Sequence, residues 1–166
     1  SLALEKLVHH FGGEDTVGTT GIFRNEPGAI NSIPRKSFLG IDLRDTNGER
    51  RDEVLRALKN RVAEIADYRK VSYSWQLVNQ DLPVTCDPQL VEKLKEEAEN
   101  AKLASKKMIS RAYHDSLFMA PKVPTSMIFI PSYKGYSHRP DEYSSPYQIE
   151  RGTLLLARWL KSASQD

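Results

Sequence analysis

The chain has 166 residues, 39% of them hydrophobic, a mean hydropathy of −0.53 and a formal charge of +2 from 24 Lys and Arg against 22 Asp and Glu. That length suits one ordinary domain or parts of two, and no stretch approaches the roughly 18 consecutive apolar residues that mark a membrane span. Basic and acidic residues are interspersed, with no clustered basic stripe interleaved with aromatics, so a nucleic-acid groove is not expected. Cys86 is the only cysteine, which leaves neither a disulfide framework nor a CxxC metal clip.

Leu2, Leu4, Leu7, Val8 and Phe11 repeat at helical spacing from the second residue, and Gly12-Gly13 supplies a stop. The expectation is a helix whose upstream context lies outside this sequence. No targeting segment is legible. Thr16 to Phe23 reads as a strand, Pro27-Gly28 as a turn, and Lys36 to Leu43 as a second strand broken by Thr46-Asn47-Gly48. A long helix is predicted from Glu49 to Arg69, with Val54, Leu55, Leu58, Val62, Ile65 and Ala66 on one apolar stripe. Val71, Tyr73, Trp75 and Leu77 then alternate with Ser72, Ser74 and Gln76, the pattern of a strand with one buried face.

Residues 1–80 therefore read as a small α+β unit that lacks one strand at its front. Asn79 to Asp87 reads as a crossover, and Pro88 fits the first turn of a helix whose apolar face is Leu90, Val91, Leu94, Ala98 and Ala101. Met127-Ile128-Phe129-Ile130 is a short apolar run closed by Pro131, as expected of a strand covered on both faces. A last helix is predicted from Pro146 to Ser162, anchored by Leu154, Leu155, Trp159 and Leu160. Residues 81–166 read as part of a parallel α/β sheet domain, so the fold class is α/β.

Three polar clusters sit beside predicted strand ends. His138, in Gly135 to Tyr143, follows an apolar strand and a glycine-containing loop, where α/β domains place their sites. It reads either as a metal ligand or as a surface-loop histidine, and one histidine is not a site, because zinc or manganese takes three or more ligands. Arg44 has the chemistry to clamp a carboxylate, or else to pair with Asp42 or Asp45. Asn31 is a ligand-binding amide or a turn residue before Ile33-Pro34. Adjacent His114 and Asp115, with Ser116, do not suit a catalytic triad. His9 and His10 fit the last turn of a helix, and Glu96-Glu97 an exposed face with Lys93 and Lys95.

Taken in order, Asn31-Ser32-Ile33-Pro34, Asp42-Leu43-Arg44, His114-Asp115 before Met119-Ala120, Ile130-Pro131 and Ser137-His138-Arg139-Pro140-Asp141-Glu142-Tyr143 resemble the dinuclear-metal amidohydrolases. That family contains allantoate amidohydrolase, the N-carbamoyl-amino-acid hydrolases and β-alanine synthase. Ile109 to Ala120 and Tyr133 to His138 are similar in particular to its plant ureidoglycolate-cleaving branch, and the resemblance covers essentially the whole chain. It implies an incomplete α+β lid and dimerisation domain at 1–80, then the C-terminal part of a mixed-sheet metal-binding catalytic domain at 81–166.

By the same resemblance His138 corresponds to the last metal ligand, and Asn31 and Arg44 to the lid pair that holds the substrate's carboxylate and neighbouring polar atoms. His114 corresponds to a pocket-lining position. The implied cofactors are two divalent ions, manganese by expectation. The implied partners are a small ureido carboxylate and a second copy of the chain, and the implied compartment is the endoplasmic reticulum. Tyr113 and Tyr136 are large where relatives are small, which predicts a pocket too short for allantoate.

The family's HxD motif, bridging Asp, Glu-Glu pair, further ligand histidine and lid histidine have no counterpart here. No catalytic base is therefore expected within the sequence, and this stretch alone is expected to be inactive. Ser126 stands where relatives often have Gly. The nearest alternatives are an allantoate or N-carbamoyl-amino-acid amidohydrolase, and a non-catalytic dimerisation or binding module.

Overall fold

The structure, a computed structural model, describes residues 1–164. These form two compact units that meet at Pro83 and Val84 in the chain, each with helices of its own.

In the first unit α1 (Leu2–Phe11) leads into an antiparallel hairpin of β1 (Val17–Glu26) and β2 (Lys36–Arg44), followed by α2 (Gly48–Arg69). The hairpin pairs Val17 with Arg44 at its open end and Glu26 with Lys36 at its closed end, and Gly21 is the extra residue of a bulge between Thr20 and Ile22. β1 runs to Glu26, three residues beyond the sequence expectation, because the ladder continues while a partner faces it. A side chain on Gly18 would sit 2.6 Å from Val8 Cγ2, so the bare glycine is what lets α1 lie against β1.

The core gathers Leu4 from α1 with Val54, Leu58 and Ala66 of the predicted α2 stripe. α2 starts at Asn47, whose side-chain oxygen accepts the Arg50 N–H at 3.0 Å. It ends at Lys70 in left-handed backbone (φ +53°), whose N–H turns back to the last helical carbonyls. Arg51 then ties the following segment down by donating to the Asp81 carbonyl.

In the second unit α3 (Pro88–Asn100) and α5 (Pro146–Ala163) flank the short α4 (Ser116–Met119) and a single 3₁₀ turn at Tyr133–Gly135. Both long helices are started by their sequence. Asp87 caps α3 by accepting from the Gln89 and Leu90 N–H groups at 2.9 Å, and Pro88 fills the first turn. Ser145 and Gln148 form a reciprocal capping box on α5, with Pro146 behind them. α3 packs against α5 around buried Ala98, and Glu97 pairs with Arg158 at 3.4 Å, so Glu97 is not part of the exposed face expected of it. A Cβ on Gly152 would fall 2.4 Å from Ile130 Cγ2, which marks where the 127–130 segment crosses α5.

Two predicted strands carry no ladder. Val71 to Leu77 and Met127 to Ile130 have strand-like sequences, yet among the described residues the only sheet is the β1–β2 hairpin. A strand exists through its neighbour, and no other described segment supplies the facing N–H and C=O groups. Burial follows the same logic: Val71, Tyr73, Trp75 and Leu77 are exposed rather than forming a covered face, and Phe129 and Ile130 are partly open rather than enclosed. On α5, Leu154 and Leu160 likewise stay exposed, and Leu155 and Trp159 are half-buried. The chain is a mixed α/β structure, as its pattern predicted.

Candidate metal and substrate site

The six predicted site residues fall into two sets. Asn31 and Arg44 belong to the first unit; Tyr113, His114, Tyr136 and His138 belong to the second.

Asn31 lies in the loop from residue 27 to 35 that closes the hairpin, in a turn braced by the Ser32 N–H donating to the Ala29 carbonyl at 3.4 Å. It is exposed, and its neighbours Ile30 and Ile33 stand 106% and 93% open. Arg44 ends β2 at the other end of the hairpin. Its guanidinium pairs with Asp42 two residues back at 2.5 Å, one of the two carboxylates anticipated for it. The other, Asp45, does different work. Its side chain is fully enclosed and accepts from Arg50 Nε at 2.8 Å, the Asn47 N–H at 2.8 Å and the Thr16 hydroxyl. Desolvation pushes the Asp45 carboxyl up, but the hydrogen bonds from Arg50, Thr16 and Asn47 outweigh it and hold the group down at about 2. Thr16 in turn accepts the Gly13 N–H at 2.8 Å. This node joins the end of α1, the start of β1, the end of β2 and the start of α2 beside Arg44. Sequence inspection offered Asp45 only as a surface partner, since enclosure is not legible in a single residue's type.

In the second unit Tyr113 and His114 precede α4. His114 is exposed, and its Nδ1 accepts the Ser116 N–H at 3.1 Å while Ser116 Oγ lies at the same 3.1 Å. With Nδ1 accepting, the neutral ring carries its proton on Nε2, so Nε2 is left as a donor. The His114 ring thus satisfies the first N–H of a four-residue helix from one residue before its N-cap, Asp115. Tyr113 meets Phe118 edge-on, ring centroids 5.8 Å apart.

His138 sits on a loop that the chain closes at its neck. The Tyr133 N–H donates to the Tyr143 carbonyl at 2.7 Å, and Ser144 Oγ donates to the Pro131 carbonyl at 3.0 Å. Inside, Ser132 Oγ donates to the Tyr136 carbonyl, Tyr136 meets Tyr133 edge-on, and the Arg139 guanidinium lies 3.8 Å above the Tyr136 ring. Tyr136 is therefore a half-buried brace of this loop, a role its size alone did not announce. His138 itself is exposed and left-handed at φ +58°, a conformation that costs a non-glycine residue about 1 kcal/mol.

Whether these residues fit a metal centre turns on the donor set. His138 offers one accessible imidazole on a braced loop, which fits one coordination position. Among the described residues no group of three or more His, Cys, Asp or Glu is arranged to hold an ion. One donor fits; the remainder of a site is not assembled from this stretch.

The model of peptidase family M20/M25/M40 matches residues 5–162. The chain belongs to that family. Over its whole length it is 50% identical to a protein of Arabidopsis thaliana named ureidoglycolate hydrolase, and it spans 35% of that protein. It is 34% identical to the allantoate amidohydrolase of Escherichia coli, with 89% of the chain covering 36% of that enzyme. The crystal structure of AtUAH in complex with (S)-hydroxyglycine superimposes with a TM-score of 0.91 at 50% identity, over 99% of this chain and 39% of that one. A hydantoinase/carbamoylase-family amidase from Burkholderia multivorans follows at 0.85 and 28% identity, over 97% of this chain and 41% of that one. The chain thus spans little more than a third of the relatives it matches. No helix among the described residues is long and apolar enough to cross a membrane.

Proposed function

We propose that the complete protein carrying this chain hydrolyses ureidoglycolate towards glyoxylate, carbon dioxide and ammonia, a step of purine (ureide) breakdown. The observation that carries this reading is the 50% identity along the whole chain to a ureidoglycolate hydrolase, joined to a TM-score of 0.91 against structures holding (S)-hydroxyglycine and glyoxylate. Those two ligands differ by one molecule of ammonia. Cleaving the ureido group of ureidoglycolate leaves hydroxyglycine, which gives glyoxylate on losing its amine.

Within that reading the chain supplies binding rather than the base. Arg44, paired with Asp42, carries five N–H donors in a fork whose geometry suits the substrate carboxylate. His114 presents Nε2–H as a donor to a substrate oxygen. Asn31 brings an amide that both donates and accepts. His138 is one ligand of a pair of divalent ions, manganese in this proposal, which when bound would lower the pKa of a water and polarise the ureido carbonyl. Residues 1–80 act as lid and dimerisation domain and residues 81–166 as part of the catalytic domain, and the likeness to plant relatives supports the endoplasmic reticulum as the compartment.

The hairpin supports a homodimer. β2 rises about 3.3 Å per residue, so the eight steps from Lys36 to Arg44 put its ends about 26 Å apart, and Asn31 lies beyond the far end. No single small substrate reaches both Asn31 and Arg44 of one chain. If both bind substrate, they serve different sites, with the arm that exposes Ile22, Phe23, Ile30, Ile33 and Phe38 reaching a second copy. A single-chain mass in sedimentation at assay concentration would remove this reading.

The test of substrate is a comparison of turnover by the manganese-loaded complete protein on ureidoglycolate, allantoate and an N-carbamoyl amino acid. Ureidoglycolate should be preferred, and Tyr113→Gly should bring allantoate into range. Tyr136→Gly is the second step, because it also removes the plate on which Arg139 rests. A parent protein that prefers allantoate overturns the proposal; unchanged selectivity in both variants sinks the tyrosine account.

A further inference from the structure

We infer that Glu142 is the positioning residue for His138: its carboxylate holds the left-handed backbone from which the imidazole is aimed. The inference rests on the reading of His138 as a metal ligand and adds a residue that this reading does not use.

Four observations carry it. His138 has φ +58°, a conformation outside the β and right-handed helical basins that a histidine ordinarily occupies, so something must favour it locally. The His138 N–H donates to Glu142 Oε2 at 2.8 Å, a hydrogen bond formed in this geometry of the loop. Glu142 is brought back over His138 by a turn of its own: Pro140 occupies the second position, where its ring presets φ, and the Glu142 N–H donates to the Arg139 carbonyl at 3.0 Å. That turn is stiffened by the two parallel bonds of Arg139 to Asp141, both 2.9 Å, while the same guanidinium lies on Tyr136.

The chain of support therefore runs from the Tyr136 ring through Arg139 to the turn, and from Glu142 to the His138 backbone. Rotating φ out of the left-handed region would swing Cβ, and with it the imidazole, away from its present direction. A ligand that must be re-aimed on each binding event gives a weaker site than one held in place, which is how outer-shell groups act on metal affinity.

What Glu142 supplies in this account is an acceptor oxygen, and a glutamine supplies one too. The experiment uses the complete protein and titrates it with Mn²⁺ alone, following free Mn²⁺ by its electron paramagnetic resonance signal. Circular dichroism of each variant checks folding. Glu142→Ala should weaken Mn²⁺ binding by about tenfold or more, Glu142→Gln should stay within about twofold of the parent, and His138→Ala should lose at least as much as Glu142→Ala. Parent-like affinity in Glu142→Ala beside a weakened His138→Ala overturns the positioning role and leaves the ligand assignment standing. A tenfold loss in Glu142→Gln overturns it as well, because the carboxylate would then act by charge or by direct ligation; this variant keeps the test decisive if the alanine form fails to fold. Parent-like affinity in His138→Ala overturns the ligand assignment and the inference with it.

Discussion

At the end of β2 the Asp45 carboxylate is closed off from water and collects its donors from Thr16 just before β1 and from Asn47 and Arg50 at the start of α2, whereas residues 137–143 around His138 are all exposed and draw support from their own loop. The first arrangement takes partners 29 residues apart in sequence and makes a junction of them. The second needs nothing beyond residues 131–144: a neck, a turn, one bidentate ion pair and two cation–π contacts. A buried charge with all its partners is costly to disturb, because removing it strands several polar groups at once. An exposed loop held by local contacts is cheap to loosen, because water replaces what is lost. On the proposed function, this places the carboxylate-binding Arg44 beside a node of the first kind and the metal-binding His138 on a loop of the second.

The comparison breaks most visibly at Asp45. In the complete protein Asp45→Ala leaves the Thr16 hydroxyl, the Asn47 N–H and the Arg50 guanidinium without their common acceptor. It should cost about 2 kcal/mol in urea denaturation, and a change near zero would mean the node is not what joins these elements. The pH dependence sharpens the same point. Asp45 titrates at about 2 when folded, below the roughly 3.9 of an unfolded aspartate. Its contribution is therefore fully present above about pH 4 and is lost as pH falls through about 2. Because Arg50 is a third exposed, screening reduces that contribution to about 1 kcal/mol. Asp45→Asn should flatten the stability profile between those pH values. The smallest global effect belongs to the loop: Arg139→Ala should change overall stability by less than about 0.5 kcal/mol. Amide exchange should nevertheless accelerate at residues 134–142, and unchanged exchange there would remove Arg139 from the bracing.

Local signals located most of the fold. The α2 stripe of Val54, Leu58 and Ala66 is the core of the first unit, and Pro88 and Pro146 start their helices where a missing N–H does no harm. The strand patterns at Val71–Leu77 and Met127–Ile130 were equally clear in sequence, but a ladder is a property of two segments, and these have no described partner. At the candidate site, residue types singled out Arg44, His114 and His138. They could not show that Asp42 rather than Asp45 takes the Arg44 guanidinium, that Tyr136 is a brace, or that Glu142 reaches back to the His138 N–H.

Periodicity, caps and turn residues thus determined by themselves where α1, α2, α3, α5 and the two strands of the hairpin lie, because those preferences act over three or four residues, whereas the short α4 gave no such signal. The combined motifs also carried the family resemblance. Only the tertiary structure decided which carboxylate is enclosed and which is open, and how far Asn31 stands from Arg44. Burial and separation depend on what the rest of the chain brings alongside, and no local pattern encodes that.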